Sequence, residues 1–174
     1  MNAQIARRAI LTLAALLAIV SAQPPVAAQT AWTTHASVEG RLTILMPCAP
    51  SWRTAQETGF VSHISVCTSG DERYLIGWVD YPPNYRATPE AELKANQDNF
   101  VKGVEGVLLT SAPITMAGRP GLEFTTNVKG ALLMTTRVIM EGMRPYQVTI
   151  VTPLGQDRAD NIRKFLTSLR ITSQ

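Results

Sequence analysis

Gly118 to Val151 reads GRPGLEFTTNVKGALLMTTRVIMEGMRPYQVTIV, and this stretch decides the fold class. Three apolar-rich runs, Leu122–Thr126, Leu132–Met140 and Tyr146–Val151, are separated by turn signals near Val128-Lys129-Gly130 and at Glu141-Gly142. Short connections between runs rich in β-branched and aromatic residues predict an antiparallel meander. Leu122, Phe124, Leu132, Met134, Val138, Met140, Tyr146, Val148 and Ile150 all carry even numbers. A period of two puts each strand's set on one face. Aligning the three apolar faces leaves Glu123, Thr125, Thr135, Arg137, Gln147 and Thr149 on the other. That face reads either as the solvated side of the sheet or as a polar binding surface. In the second case Glu123, Arg137 and Gln147 are its candidate binding residues, with Arg137 the anion-pairing group.

More strands are expected upstream. Arg41–Pro47 is a first strand, Ser51–Glu57 and Phe60–Thr68 flank a turn at Thr58-Gly59, and Tyr74–Tyr81 is rich in aromatic residues. Thr88-Pro89-Glu90 then opens a helix, with a hydroxyl N-cap, a proline at the first position and acids in the first turn. Leu93, Gln97, Phe100, Val101 and Val104 keep helical spacing, and Gly103 and Gly106 bracket the end. Glu90 and Glu92 read as solvent-facing. Val107–Thr110 and Ile114–Ala117 are expected as two short strands. A last helix, about Asp157–Leu169, buries Ile162, Phe165, Leu166 and Leu169. Many strands with two helices predict an α+β domain: a central, largely antiparallel sheet with flanking helices.

The first 28 residues read as a secretory signal peptide. Arg7 and Arg8 precede the apolar run Ala9–Val20, and Val26-Ala27-Ala28 places small residues before Gln29. Cleavage after Ala22 is the alternative, and the Arg7-Arg8 pair also resembles a twin-arginine signal. The expected organisation is residues 1–28 as signal, 29–40 as a loose lead-in and 41–174 as one domain. The expected location is periplasmic or secreted, with no stable membrane span after processing. The full chain has 16 Lys and Arg against 13 Asp and Glu. Without Arg7 and Arg8 the balance is 14 against 13, so no basic surface argues for a nucleic-acid partner.

Compartment governs the reading of Cys48 and Cys67. In an exported chain two cysteines default to one disulfide. A hairpin turn pairing Gln56 with Gly59 would set Cys48 directly opposite Cys67, and one pairing Glu57 with Phe60 nearly so. A metal site or free thiols are the alternatives, though His35 and His63 lack ligand spacing to either cysteine.

No nucleophile elbow, zinc-protease helix or phosphate-cradling loop occurs. His63 reads as a strand histidine. Trp32 and Trp52 are candidates for an interface, and Trp78 for the core. No cofactor is implied.

The order of motifs is informative as a set. Met46-Pro47-Cys48-Ala49-Pro50 ends a strand, Asp80-Tyr81-Pro82 ends another, and Ile114-Thr115-Met116-Ala117-Gly118-Arg119-Pro120-Gly121-Leu122-Glu123 leads into the meander. Tyr146-Gln147-Val148 and Phe165-Leu166-Thr167-Ser168-Leu169 complete it. The chain resembles small exported bacterial proteins of unknown function with a PsbP-like fold, over roughly Arg41 to Thr172. The resemblance implies an α/β/α sandwich and a binding or assembly role, with no catalytic residues to carry over. Cys48 stands where glycine is more usual, which adds to the disulfide reading. The expected function is therefore an exported, non-enzymatic domain acting on a protein or envelope partner. The alternative is a small-ligand-binding protein or hydrolytic enzyme with its site on the C-terminal meander.

Overall fold

The computed structural model describes residues 31–156 and 158–172; the expected signal peptide lies outside them. The elements run β1 (Thr33–Ser37), β2 (Leu42–Met46), β3 (Ser51–Glu57), β4 (Phe60–Ser69), β5 (Glu72–Asp80), α1 (Pro89–Gly103), β6 (Gly106–Met116), β7 (Arg119–Val128), β8 (Leu132–Glu141), β9 (Arg144–Pro153), α2 (Ala159–Leu166) and β10 (Arg170–Ile171). Seven strands form one antiparallel sheet in the order β3-β4-β5-β9-β8-β7-β6. A smaller antiparallel sheet has the order β1-β2-β10.

The large sheet separates two apolar cores. On one face α1 supplies Leu93, Phe100 and Val104 against Phe124, Met134, Val138 and Val151. Phe100 and Phe124 meet edge to face with centroids 5.5 Å apart. Each buried phenylalanine contributes roughly 1.5–3 kcal/mol. On the other face Leu42, Ile44 and Met46 of β2 join Phe165 and Leu166 of α2 over Tyr74, Ile76, Trp78, Tyr146, Val148 and Ile150.

The molecule is therefore mostly β, with two helices, and departs from a helix-flanked sandwich. A helix alone covers part of one face, whereas the opposite face is covered by the three-stranded sheet together with α2. Part of the expected loose lead-in is also ordered differently from expectation. Thr33–Ser37 pair with Leu42–Met46, so the lead-in is a strand of the covering layer. The two short strands around Pro113 are one continuous β6, because an edge strand can accept a proline.

The meander forms as expected, but its faces do not align as expected. Leu122 pairs with Val138, and Glu123 with Arg137, so β7 and β8 share parity. Between β8 and β9 the partners are Val138 with Gln147 and Arg137 with Val148. Even positions of β9 thus join odd positions of β8. β9 is buried at eight successive positions, so its alternation does not mark a solvent side. Gln147 and Thr149 face the α1 core. Glu123 and Arg137 lie on the face that carries Tyr146, Val148 and Ile150.

Candidate functional site

The structure joins Cys48 and Cys67 in a disulfide, with Cα atoms 5.8 Å apart. The ladder geometry differs from the one that puts them directly opposite. Glu57 pairs with Phe60, and β3 begins only at Ser51, so Cys48 lies in the β2–β3 connection after Pro47. Among the described residues, no three His, Cys, Asp or Glu side chains converge to hold a metal ion.

Glu123 and Arg137 are brought together; Gln147 is not. Arg137 Nε donates to Glu123 Oε2 at 2.5 Å, and its Nη1 donates to the Leu166 carbonyl at 3.1 Å. The guanidinium is thus occupied, tying β7 to β8 and holding the end of α2. Gln147 lies under the α1 face and donates to Thr149 Oγ1 at 3.2 Å. Glu92, read as solvent-facing, is 1% exposed. It accepts from the Tyr81 and Tyr85 hydroxyls, each at 2.5 Å, and from Asn96 Nδ2 at 3.0 Å. Burial, with the Glu92 carboxylate beside them, pushes both tyrosine pKa values well above the ordinary range. Tyr74 is raised in the same way, first by burial and then by its 2.6 Å hydrogen bond to Glu72.

The densest polar cluster was not legible as a motif. His63 sits directly between Thr54 on β3 and Trp78 on β5 in the strand ladders. Directly opposed side chains touch, so the imidazole lies flat on the indole, 4.5 Å between centroids and 9° between planes. His63 is 4% exposed. Its Nε2 is 3.3 Å from Asp80 Oδ2, and its Nδ1 is 3.1 Å from Thr54 Oγ1 and 3.7 Å from Glu39 Oε1. Asp80 also accepts from Trp78 Nε1 at 3.3 Å and from Arg144 Nε at 2.6 Å.

Asp80 begins a row of alternating charge across one end of the sheet. Extending the β5–β9 and β7–β8 ladders places Asp80 opposite Arg144 and Arg119 opposite Glu141, while Arg144 and Glu141 are themselves register partners. Asp80 pairs with Arg144, and Glu141 with Arg119. Burial works against the Arg144 charge, but the Tyr146 hydroxyl and Asp80 outweigh it and raise its pKa. Above this row opens a cleft of about 310 Å³, lined by Arg41, Asp80, Tyr81, Glu141, Gly142, Met143 and Arg144.

At the far edge of the sheet β6 pairs only with β7. None of its eleven residues is charged. Val107, Leu108 and Leu109 are 66%, 41% and 51% exposed, beside a register shift between Leu108 and Thr110. The opposite edge strand, β3, carries Arg53 and Glu57. Trp52, expected at an interface, is half-buried and packs 5.1 Å from the buried Trp78; Trp32 lies edge-on to Tyr74 at 5.3 Å. No helix among the described residues is long and apolar enough to cross a membrane.

No protein-family model matches the chain, and no curated protein matches it. Among solved structures, the cyanobacterial PsbP (CyanoP) of Synechocystis sp. PCC 6803 is similar at 11% identity and a TM-score of 0.54, over 87% of this chain and 98% of that one. A protein from Bacteroides thetaiotaomicron aligns at 10% identity and a TM-score of 0.41, over 81% of this chain and 48% of its own. Likeness over nearly the whole of the cyanobacterial chain shows that this protein has a PsbP-like fold.

Proposed function

We propose that this is an exported, non-enzymatic binding domain, and that β6 is the strip on which it docks an extended, uncharged segment of a partner protein. The carrying observation is the uncharged edge, which only Pro113 and the bulge at Leu108/Thr110 interrupt. Exposed edge strands are usually guarded by charge, because unpaired backbone groups invite another strand. β6 has eleven uncharged residues and three exposed aliphatic side chains. Strand addition would satisfy its outer backbone groups, while Val107, Leu108 and Leu109 would select an apolar partner. Export is supported by the Cys48–Cys67 disulfide and by the leader-like first 28 residues.

Affinity capture from the native envelope tests this with the parent protein and a Leu108→Lys/Leu109→Lys variant side by side. A partner held by the parent, lost by the variant and protecting the 106–112 amides from hydrogen exchange supports the reading. Equal capture by both proteins removes it. Concentration-dependent self-association that the variant abolishes would replace the foreign partner with a second copy.

One observation favours a hydrolytic alternative. Asp80, His63 and Thr54 form a carboxylate–imidazole–hydroxyl array with spacings of 3.3 and 3.1 Å. In that case His63 would take the Thr54 hydroxyl proton as the oxygen attacks an ester carbonyl, then give that proton to the departing alcohol as the ester C–O bond breaks, and water would hydrolyse the acyl-Thr54 ester. The array lies on β3, β4 and β5, away from the C-terminal meander. Loss of ester hydrolysis in Thr54→Val, with unchanged stability, would support this reading; absence of hydrolysis in the parent would remove it.

A further inference from the structure

Among the described residues, the end-of-sheet cleft contains one cation without a counter-charge, Arg41. Of the acids lining it, Asp80 is held by Arg144 and Glu141 by Arg119. The row below is therefore neutral within itself. Arg41 also lines the cleft, and among the described residues its guanidinium has neither a hydrogen-bond acceptor nor an ion-pair partner. Its backbone is held at φ 50°, a left-handed conformation that is costly for a residue with a Cβ. Two backbone bonds hold it there: the Arg41 amide donates to the Val38 carbonyl at 3.1 Å, and its carbonyl accepts from the Thr172 amide at 2.9 Å. Glycine would relieve that strain, so the fold itself gives no reason for an arginine at this position. The remaining walls include Met143 and Tyr81, but the Tyr81 hydroxyl is committed to Glu92 and its ring stacks on Tyr85 at 4.0 Å, which leaves Met143 as the apolar side chain of the cleft.

We infer that this cleft binds a small organic anion, with a carboxylate or phosphate group on Arg41 and a compact apolar body against Met143. A planar guanidinium presents a fork of donors that matches such oxyanions in a bidentate geometry. A volume of about 310 Å³ suits a ligand of modest size. Arg144 would contribute field but no free donor fork. Its Nε is on Asp80, and its Nη1 donates to the Glu39 carbonyl at 3.1 Å. This inference is independent of the docking role of β6.

Titration of the full protein with benzoate, phenyl phosphate, inorganic phosphate and neutral benzamide, followed by amide chemical shifts, tests it. Saturable shifts at Gly142 and Met143 with benzoate or phenyl phosphate are expected, and none with benzamide. Preference between the two organic anions identifies the headgroup. Saturation by inorganic phosphate as tight as by phenyl phosphate would overturn the apolar-body half of the proposal. Arg41→Gly keeps the positive φ and should weaken anion binding at least tenfold, while melting at or above the parent temperature. Arg41→Lys, which keeps charge but not the fork, should fall between the two. Binding that is unchanged in both variants, equal affinity for benzamide, or no saturation by any anion would overturn the proposal.

Discussion

Arg144 Nε donates to Asp80 Oδ1 at 2.6 Å, across 64 residues of sequence. That bond ties the β8–β9 hairpin to the end of β5. It also places Asp80 where His63 and Trp78 reach it. Asp80→Asn keeps the shape but removes the charge that Arg144 faces. Because Asp80 is one-third exposed, solvent screens part of the loss. The expected cost is about 1–2 kcal/mol. A urea midpoint that does not move would show that the pair contributes nothing net.

Alkaline stability follows from the buried tyrosines. Tyr74, Tyr81 and Tyr85 have folded-state pKa values above the ordinary 10, with burial the largest cause in each. In the unfolded chain they ionise near pH 10, so above that pH the folded state binds more protons. Their contribution is complete below pH 9 and is lost as pH rises past 10. The slope approaches about 1.4 kcal/mol per pH unit for each tyrosine. Urea unfolding at pH 9, 10 and 11 checks this, and Tyr85→Phe should flatten the slope by about one third. Constant stability between pH 9 and 11 would contradict it.

Glu92 accepts two tyrosine hydroxyls and one amide in a site closed to water. In Glu92→Gln the new NH₂ cannot accept, so one hydroxyl loses its partner. A loss of about 1–3 kcal/mol is expected. Glu90→Gln, on the exposed side of the same helical turn, should stay within about 0.5 kcal/mol of the parent. Thermal melts of the two variants make the comparison directly.

Arg137→Ala removes the bond to Glu123 and the cap on the Leu166 carbonyl. A loss of about 1–2 kcal/mol is expected, with faster amide exchange in the last turn of α2. Because the side chain is already occupied, anion binding in the Arg41 cleft should not change. A variant that loses anion binding while α2 remains protected would return Arg137 to a ligand role.

The Cys48–Cys67 bridge closes a loop of separation 19. In the chain-entropy description it contributes about 3 kcal/mol. Paired Cys48→Ser/Cys67→Ser substitution should lower the melting temperature by roughly 10 °C. Dithiothreitol should do the same to the parent and nothing to the variant.

Much of the fold was legible because its signals are local. The hairpin at Thr58-Gly59, the Thr88 cap with its 3.2 Å bond from the Ala91 amide, and the three meander strands all depend on neighbours close in sequence. The candidate site was less legible. Glu92 carries the composition of an exposed first helical turn, and only Tyr81 and Tyr85 folding over it make it buried. His63 stands alone in the sequence, and its partners Thr54 and Trp78 arrive through two separate ladders.

The sequence by itself determined the antiparallel meander, the capped central helix and the PsbP-like order of elements, and it made a Cys48–Cys67 bridge the default reading of the two cysteines. Periodicity and turn chemistry act over a few residues, whereas a disulfide needs two Cα atoms brought within reach, which the folded strands decide. Only the tertiary structure decided which face each side chain occupies. β9 is covered on both sides, so its polar and apolar alternation carries no direction, and the register with β8 turns Gln147 away from Arg137. The same long-range pairing assembles Asp80, Arg144, Glu141 and Arg119 into a neutral row and, among the described residues, leaves Arg41 beside it without a counter-charge.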